Sequence, residues 1–287
     1  MVEDLPKQRL NNSPRNFLDK PTEMTMTIIY DLSKVPADVV TQIHASQKFT
    51  KWFSEFPSKL FNRDNNAKTV KGLKQGTSTL VDYMLPHKLS GYQVCAAEVL
   101  AQCGKPCLNT AGRGGMNSTQ MSRLRKTLMF FQYRDEFIAM MKREVIQHIA
   151  YCKKKNYEPA VRPNGTSDIR WELYIWDFMV ETHKQGVQWY DYTKLANRII
   201  PDPNVYDLTF SYSGVDTYQK SVQTARAMGM RFAVVWRYKT SIPKSFLGMD
   251  VVSGDDDDLT YTSPQGTVRA LYAKGKAVHD YSGFVLN

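Results

Sequence analysis

Apolar residues along the chain follow two different periods. From residue 76 onward, short runs rich in β-branched and aromatic residues alternate with longer stretches in which apolar residues recur every three or four positions. The runs predict strands over 79–85, 158–162, 187–192, 206–211, 231–237, 249–252 and 267–273, the first ended by Pro86. Between the first two, Leu124, Leu128, Phe131, Phe137, Ile138, Met141, Val145 and Ile149 predict a long helix over 118–154, with a break near Tyr133. Further helices are expected over 171–184 and 215–228, with a short one ending before Pro201. Phe232-Ala233-Val234-Val235-Trp236 is the continuous apolar run expected of a strand covered on both faces.

Strands alternating with helices imply parallel βαβ units, so the expected fold is α/β. Six or seven units are most simply arranged as a complete or partial TIM-like βα barrel; a doubly wound open sheet is the alternative. Residues 76–287 are read as this domain. Residues 1–75 are read as an N-terminal arm and helical extension: a polar, Pro-containing segment to about residue 24, then short helices over 36–44 and 49–60. Phe49, Trp52, Phe53, Phe56 and Leu60 form an apolar face expected to pack on the main body.

In either arrangement, ligands bind at the C-terminal ends of parallel strands. Polar residues collect there: Asn164 and Asp168 after the second strand, Asp191 and Lys194 at the third, Ser211 and Ser213 at the fourth, and Asp255 to Asp258 after the sixth. Asp168, Asp191 and Lys194 are the candidate catalytic groups; Arg113, Arg162, Asn164, Ser211 and Ser213 are candidate cofactor-binding groups. Each has a plainer alternative: a turn and helix cap at 164–168, an ion pair from Lys194 to Asp168 or Asp191, and a solvated loop at 255–258.

The most specific signal follows the first strand, where Cys95, Cys103 and Cys107 are spaced x7 then x3. Three thiolates suit a [4Fe–4S] cluster with one iron left open to a small molecule. Zinc, with His87 or water as fourth ligand, is the competing reading, although a structural zinc site normally shows a tighter Cys pair. Cys152 is remote in sequence and is expected to be a buried apolar residue.

A net charge of +10 leaves nucleic acid open as a partner. No stretch is apolar enough to span a bilayer and no leader pattern opens the chain, which gives the expectation of a cytoplasmic protein with no membrane partner.

The segments Asn66-Ala67-Lys68-Thr69, Cys107-Leu108-Asn109-Thr110-Ala111-Gly112-Arg113-Gly114, Arg162-Pro163-Asn164-Gly165-Thr166-Ser167-Asp168, Tyr190-Asp191-Tyr192-Thr193-Lys194 and Ser282-Gly283-Phe284 resemble an uncharacterised phage and plasmid family, the "gene product eighty-eight" type. The resemblance covers about residue 65 to the C-terminus and implies a phage or viral protein in the host cytoplasm, with virion association as an alternative. The order of strand, three-cysteine loop and helix is also similar in architecture to radical S-adenosylmethionine enzymes. That likeness would add S-adenosylmethionine as a ligand, yet those enzymes usually space their cysteines x3 then x2. Substrate, oligomeric state and whether the protein is an enzyme are not legible at this level. The alternatives to an iron–sulfur protein are a basic nucleic-acid-associated replication or regulatory protein with a structural metal, and a virion or interaction protein.

Overall fold

The computed structural model describes residues 28–104, 107 and 112–287. The polar arm expected to about residue 24 lies outside them. The helices are α1 (Ala37–His44), α2 (Gln47–Trp52), α3 (Ala67–Lys74), α4 (His87–Ser90), α5 (Asn117–Gln132), α6 (Arg134–Lys155), α7 (Glu172–His183) and α8 (Gln219–Ala227). The strands are β1 (Phe61–Arg63), β2 (Thr77–Asp82), β3 (Glu158–Arg162), β4 (Gln188–Thr193), β5 (Tyr206–Ser211), β6 (Phe232–Trp236), β7 (Ser245–Phe246), β8 (Met249–Ser253), β9 (Val268–Tyr272) and β10 (Val285–Leu286).

Strands β2 to β6 lie side by side in chain order, all parallel, followed by β9 and then β8. Antiparallel β1 and β7 flank the two ends, and β10 pairs with the far end of β6. The protein is therefore α/β with a mostly parallel sheet, as its sequence predicts. The pairing order is a path with two ends, as in an open sheet, rather than a closed ring.

The long helix does break at Tyr133, whose φ of −136° and ψ of 58° lie outside the helical range, leaving α5 and α6. Three expectations need correction. No helix forms between β4 and Pro201, where Thr193 and Arg198 are instead tied into side-chain networks. The helix expected over 49–60 stops at Trp52, because Ser46 caps its start and only six residues follow in helical geometry. The first strand begins at Thr77 and stops at Asp82, and the chain beyond turns away so that Leu85 can bond Thr127.

The period-2 geometry of the strands gives the sheet two unlike faces. Leu80, Val161, Trp189, Leu208, Phe210, Phe232, Val234 and Val268 share one face and form the two large apolar clusters, packed against α5, α6, α7 and α8. Residues one position out of phase, including Thr79, Arg162, Tyr190, Tyr192, Thr209, Ser211 and Arg269, lie on the other. This second face is polar yet largely buried. Part of it is covered by the chain's own 257–262 segment, where Leu259 packs with Ala160 and Tyr190, and Tyr261 meets Tyr190 edge-on at 5.2 Å. The same face borders the cavity that holds the candidate chemistry.

Candidate functional site

A cavity of about 1070 Å³ opens at the C-terminal ends of β2 to β6. It is lined by all three clustered cysteines, together with Arg113, Arg162, Asn164, Asp168, Lys194 and Ser211. These residues come from separate connections up to 116 positions apart in sequence, and the parallel sheet brings them together because every β-to-α connection leaves from the same edge. Asp191 and Ser213 are not among the lining residues.

The cysteine loop is pinned by three hydrogen bonds from two neighbouring connections. Val94 accepts a hydrogen bond from the Asp168 backbone N–H at 2.8 Å, joining the loop to the β3–α7 connection. Ser213 Oγ donates to the Ala101 carbonyl at 2.8 Å, and Thr217 Oγ1 to the Leu100 carbonyl at 2.9 Å, joining it to the β5–α8 connection. Inside the loop, Glu98 N donates to Cys95 O and Cys103 N to Glu98 O, a compact turn that directs both thiols to the same side as Lys194. Ser213 thus holds the loop in place rather than contacting the cavity.

Burial raises the thiol pKa of Cys95 and of Cys103, and the Lys194 ammonium opposes the shift at both. The Lys194 Nζ donates to Ser211 O at 3.0 Å, Ser211 Oγ at 2.9 Å and Tyr212 O at 3.3 Å. All of these acceptors are neutral. The ion pair to Asp168 or Asp191 expected from the sequence does not form; Asp168 takes the Lys194 backbone N–H instead, at 2.7 Å. Burial lowers the Lys194 pKa, while Cys103, Cys95, Asp168 and Cys107 act in the opposite sense.

Asp168 is committed elsewhere. It accepts from Thr193 Oγ1 at 3.0 Å and from Arg198 at 3.1 Å, and Arg198 also holds Glu172 at 2.6 Å. Asn164 is the centre of a second buried network: its Nδ2 donates to Ile169 O and Asp191 Oδ2, and its Oδ1 accepts from Ser167, Ile169 and Trp171. Asp191 also takes the Tyr206 hydroxyl at 2.6 Å. Its position in β4 is out of phase with Tyr190 and Tyr192, which turns it toward the helix-covered face and away from the cavity. Burial raises its pKa to about 7, against the pull of Arg162 and Tyr206.

Arg162 reaches Asp258 at 2.6 Å and stacks over Tyr192 at 4.7 Å. The acidic run expected as a solvated loop is drawn inward: Asp257 pairs with Arg269 at 2.9 Å, and Asp255 with Lys274 at 2.8 Å. Opposite charges on the polar face require counter-ions once covered, and the run provides them.

Several site residues carried no distinct sequence signal. Lys126 on α5 pairs with Asp82 at the end of β2 and donates to Leu60 O at 2.8 Å. Arg123, Tyr83 and Phe284 also border the cavity. An acidic residue ending an otherwise uncharged buried strand is the one hint of Asp82 that the sequence contains.

Cys152 is buried on α6 beside His148, 3.6 Å from its Nε2, and does not line the cavity. His87 begins α4 and does not line it either. Among the described residues, no three His, Cys, Asp or Glu side chains stand close enough together to hold a metal ion as placed.

No helix among the described residues is long and apolar enough to cross a membrane. No curated protein and no solved structure matches the chain, so the likeness to radical S-adenosylmethionine enzymes finds no support in comparison. A family model, Gene product 88, matches residues 59–287, a span that includes the cysteine loop and all the strands above. The chain belongs to the Gene product 88 family.

Proposed function

We propose that this phage-type protein holds a [4Fe–4S] cluster on Cys95, Cys103 and Cys107, at the mouth of a partial βα barrel whose interior is the polar face of the sheet. The observation that supports the reading is the shared cavity: three thiols and a buried ammonium without a carboxylate partner meet there, while the fourth cysteine is excluded. Such a cluster supplies one-electron chemistry and an iron open to a small molecule.

The chain's own residues would do the rest. Lys194 balances negative charge on the cysteine side of the cavity, fixed by its three oxygen acceptors. Ser213 and Thr217 keep the loop against β5 so that its thiols stay on the cavity side. Asn164 and Asp168 shape the wall between them, since their polar atoms are already engaged by the protein.

Anaerobic purification followed by iron and sulfide analysis tests the reading. About four irons and four sulfides per chain are expected at full loading, falling sharply in Cys103→Ala. Stoichiometric zinc, or no metal after reconstitution, would overturn it. The enzyme branch is tested by adding S-adenosylmethionine to reduced, loaded protein. One electron from the reductant would cleave its sulfonium C–S bond to methionine and a 5′-deoxyadenosyl radical, which takes a hydrogen atom to become 5′-deoxyadenosine. Intact S-adenosylmethionine would leave a redox or sensing role for the same site.

A further inference from the structure

Among the described residues, four acidic side chains line the cavity, and three have their charge met inside the protein. Asp168 is paired with Arg198, Asp255 with Lys68 and Lys274, and Asp258 with Arg162. Glu98, in the loop between Cys95 and Cys103, is the fourth, and it is only 6% exposed. Its backbone bonds Cys95 and Cys103, but among the described residues no hydrogen bond or ion pair reaches its carboxylate.

A carboxylate so far withdrawn from water is costly to leave without a donor. Lys194, the buried cation of the same cavity, does not supply one, because its Nζ already donates to three oxygens of Ser211 and Tyr212. Nor is the carboxylate sealed inside the loop. Both Glu98 oxygens keep contact with solvent, unlike the enclosed and unpartnered Asp82 Oδ2.

Two neighbours show where that contact lies. The Glu98 charge acts on the Cys103 thiol, and a Cβ at Gly104 would stand 3.9 Å from Glu98 Oε1. Cys103 and Gly104 line the cavity together with Glu98, so the loop presents the carboxylate to the cavity beside the Cys103 thiol.

We propose that Glu98 recognises a small molecule bearing a primary amine, whose ammonium group donates to the carboxylate inside the cavity. An ammonium suits the position because one carboxylate is a sufficient counter-ion for it and the bond is charge-assisted. A metal ion needs several donors at once, and no three His, Cys, Asp or Glu side chains among the described residues stand close enough to hold one as placed. The cavity, at about 1070 Å³, has room for the remainder of such a ligand. The inference does not depend on a cluster at the cysteines, since the unmet carboxylate belongs to the chain alone.

Thermal unfolding of the full chain with n-butylammonium chloride tests it. Tetramethylammonium chloride at the same concentration is the control, because that ion carries the charge without an N–H donor. Butylammonium should raise the unfolding temperature by about 2–4 °C at roughly ten times its Kd, and tetramethylammonium should not. Glu98→Gln keeps the shape without the charge and should abolish the shift. Glu98→Asp, whose carboxylate is drawn back by one methylene, should reduce it and gives the reading if the Gln variant does not fold. Glu136→Gln, at an exposed acid on α6 outside the cavity, should respond like the wild type. An equal response to both salts, or an undiminished shift in the Glu98 variants, would overturn the inference. Loss of bound iron from folded Glu98→Gln would overturn it too, by making Glu98 a metal ligand. An amine-dependent shift in protein that holds no iron would leave the amine site standing and remove the cluster.

Discussion

Asn164 and Asp191 hold each other by two hydrogen bonds, backbone N–H to Oδ1 and Nδ2 to Oδ2, both at 3.0 Å. The pair locks the end of β3 to the middle of β4, with Tyr206 of β5 as a third member. Two residues that look like ligand-binding groups in the sequence are thereby a joint between three strands.

Replacement of Asp191 by Asn should destabilise the protein by about 2 kcal/mol or more, since an amide puts a donor where Asn164 and Tyr206 need acceptors. The effect depends on pH. The Asp191 pKa is about 7 in the folded protein against an ordinary aspartate value of 3.8, so its favourable contribution is complete below about pH 4 and is lost as pH rises through 7. Denaturant titrations should therefore show the wild-type advantage over Asp191→Asn shrinking from pH 4 to pH 8. A gap that widens with pH would contradict this assignment.

Arg198 joins Asp168 and Glu172 in a buried triad, its side chain 0% exposed. Arg198→Met leaves buried Asp168 without its cation and Glu172 with only the largely exposed Arg170, and should cost about 3–5 kcal/mol. The variant should also lose the connection that positions the Lys194 backbone, because Asp168 holds both. Chemical denaturation checks the first effect, and metal content of the surviving folded fraction checks the second.

Ser213→Ala removes the hydroxyl that fastens Ala101 in the cysteine loop. A stability loss of about 1 kcal/mol is expected. Faster alkylation of Cys103 than in the wild type, measured by mass spectrometry under native conditions, should accompany it. Equal rates would show that Thr217 and the other contacts hold the loop alone.

Gly165 cannot carry a side chain. A Cβ there would come within 2.6 Å of the Tyr83 ring and closer still to the Asp82 carbonyl, which already accepts the Gly165 N–H at 2.7 Å. Gly165→Ala should destabilise by at least about 1–3 kcal/mol and displace Tyr83, which thermal unfolding of the variant against the wild type checks.

The pattern of apolar residues alone determined the α/β class and located seven strands and the principal helices. It also pointed to the strand ends as the place where chemistry collects. These features are local: a strand such as Phe232–Trp236 is recognisable because its own side chains must be covered. The concentration of Cys95, Cys103 and Cys107 in one loop was equally visible, since it needs no knowledge of neighbours.

Tertiary structure decided which polar residue met which. Asp191 and Lys194 are three positions apart, yet one turns into the helix-covered face and the other into the cavity, because strand phase assigns opposite sides to odd and even neighbours. Arg162 found Asp258 and Lys126 found Asp82 across 96 and 44 residues. Each charge, once buried, had to be matched by whatever the adjoining strand or helix presented, and that adjacency is a property of the assembled sheet.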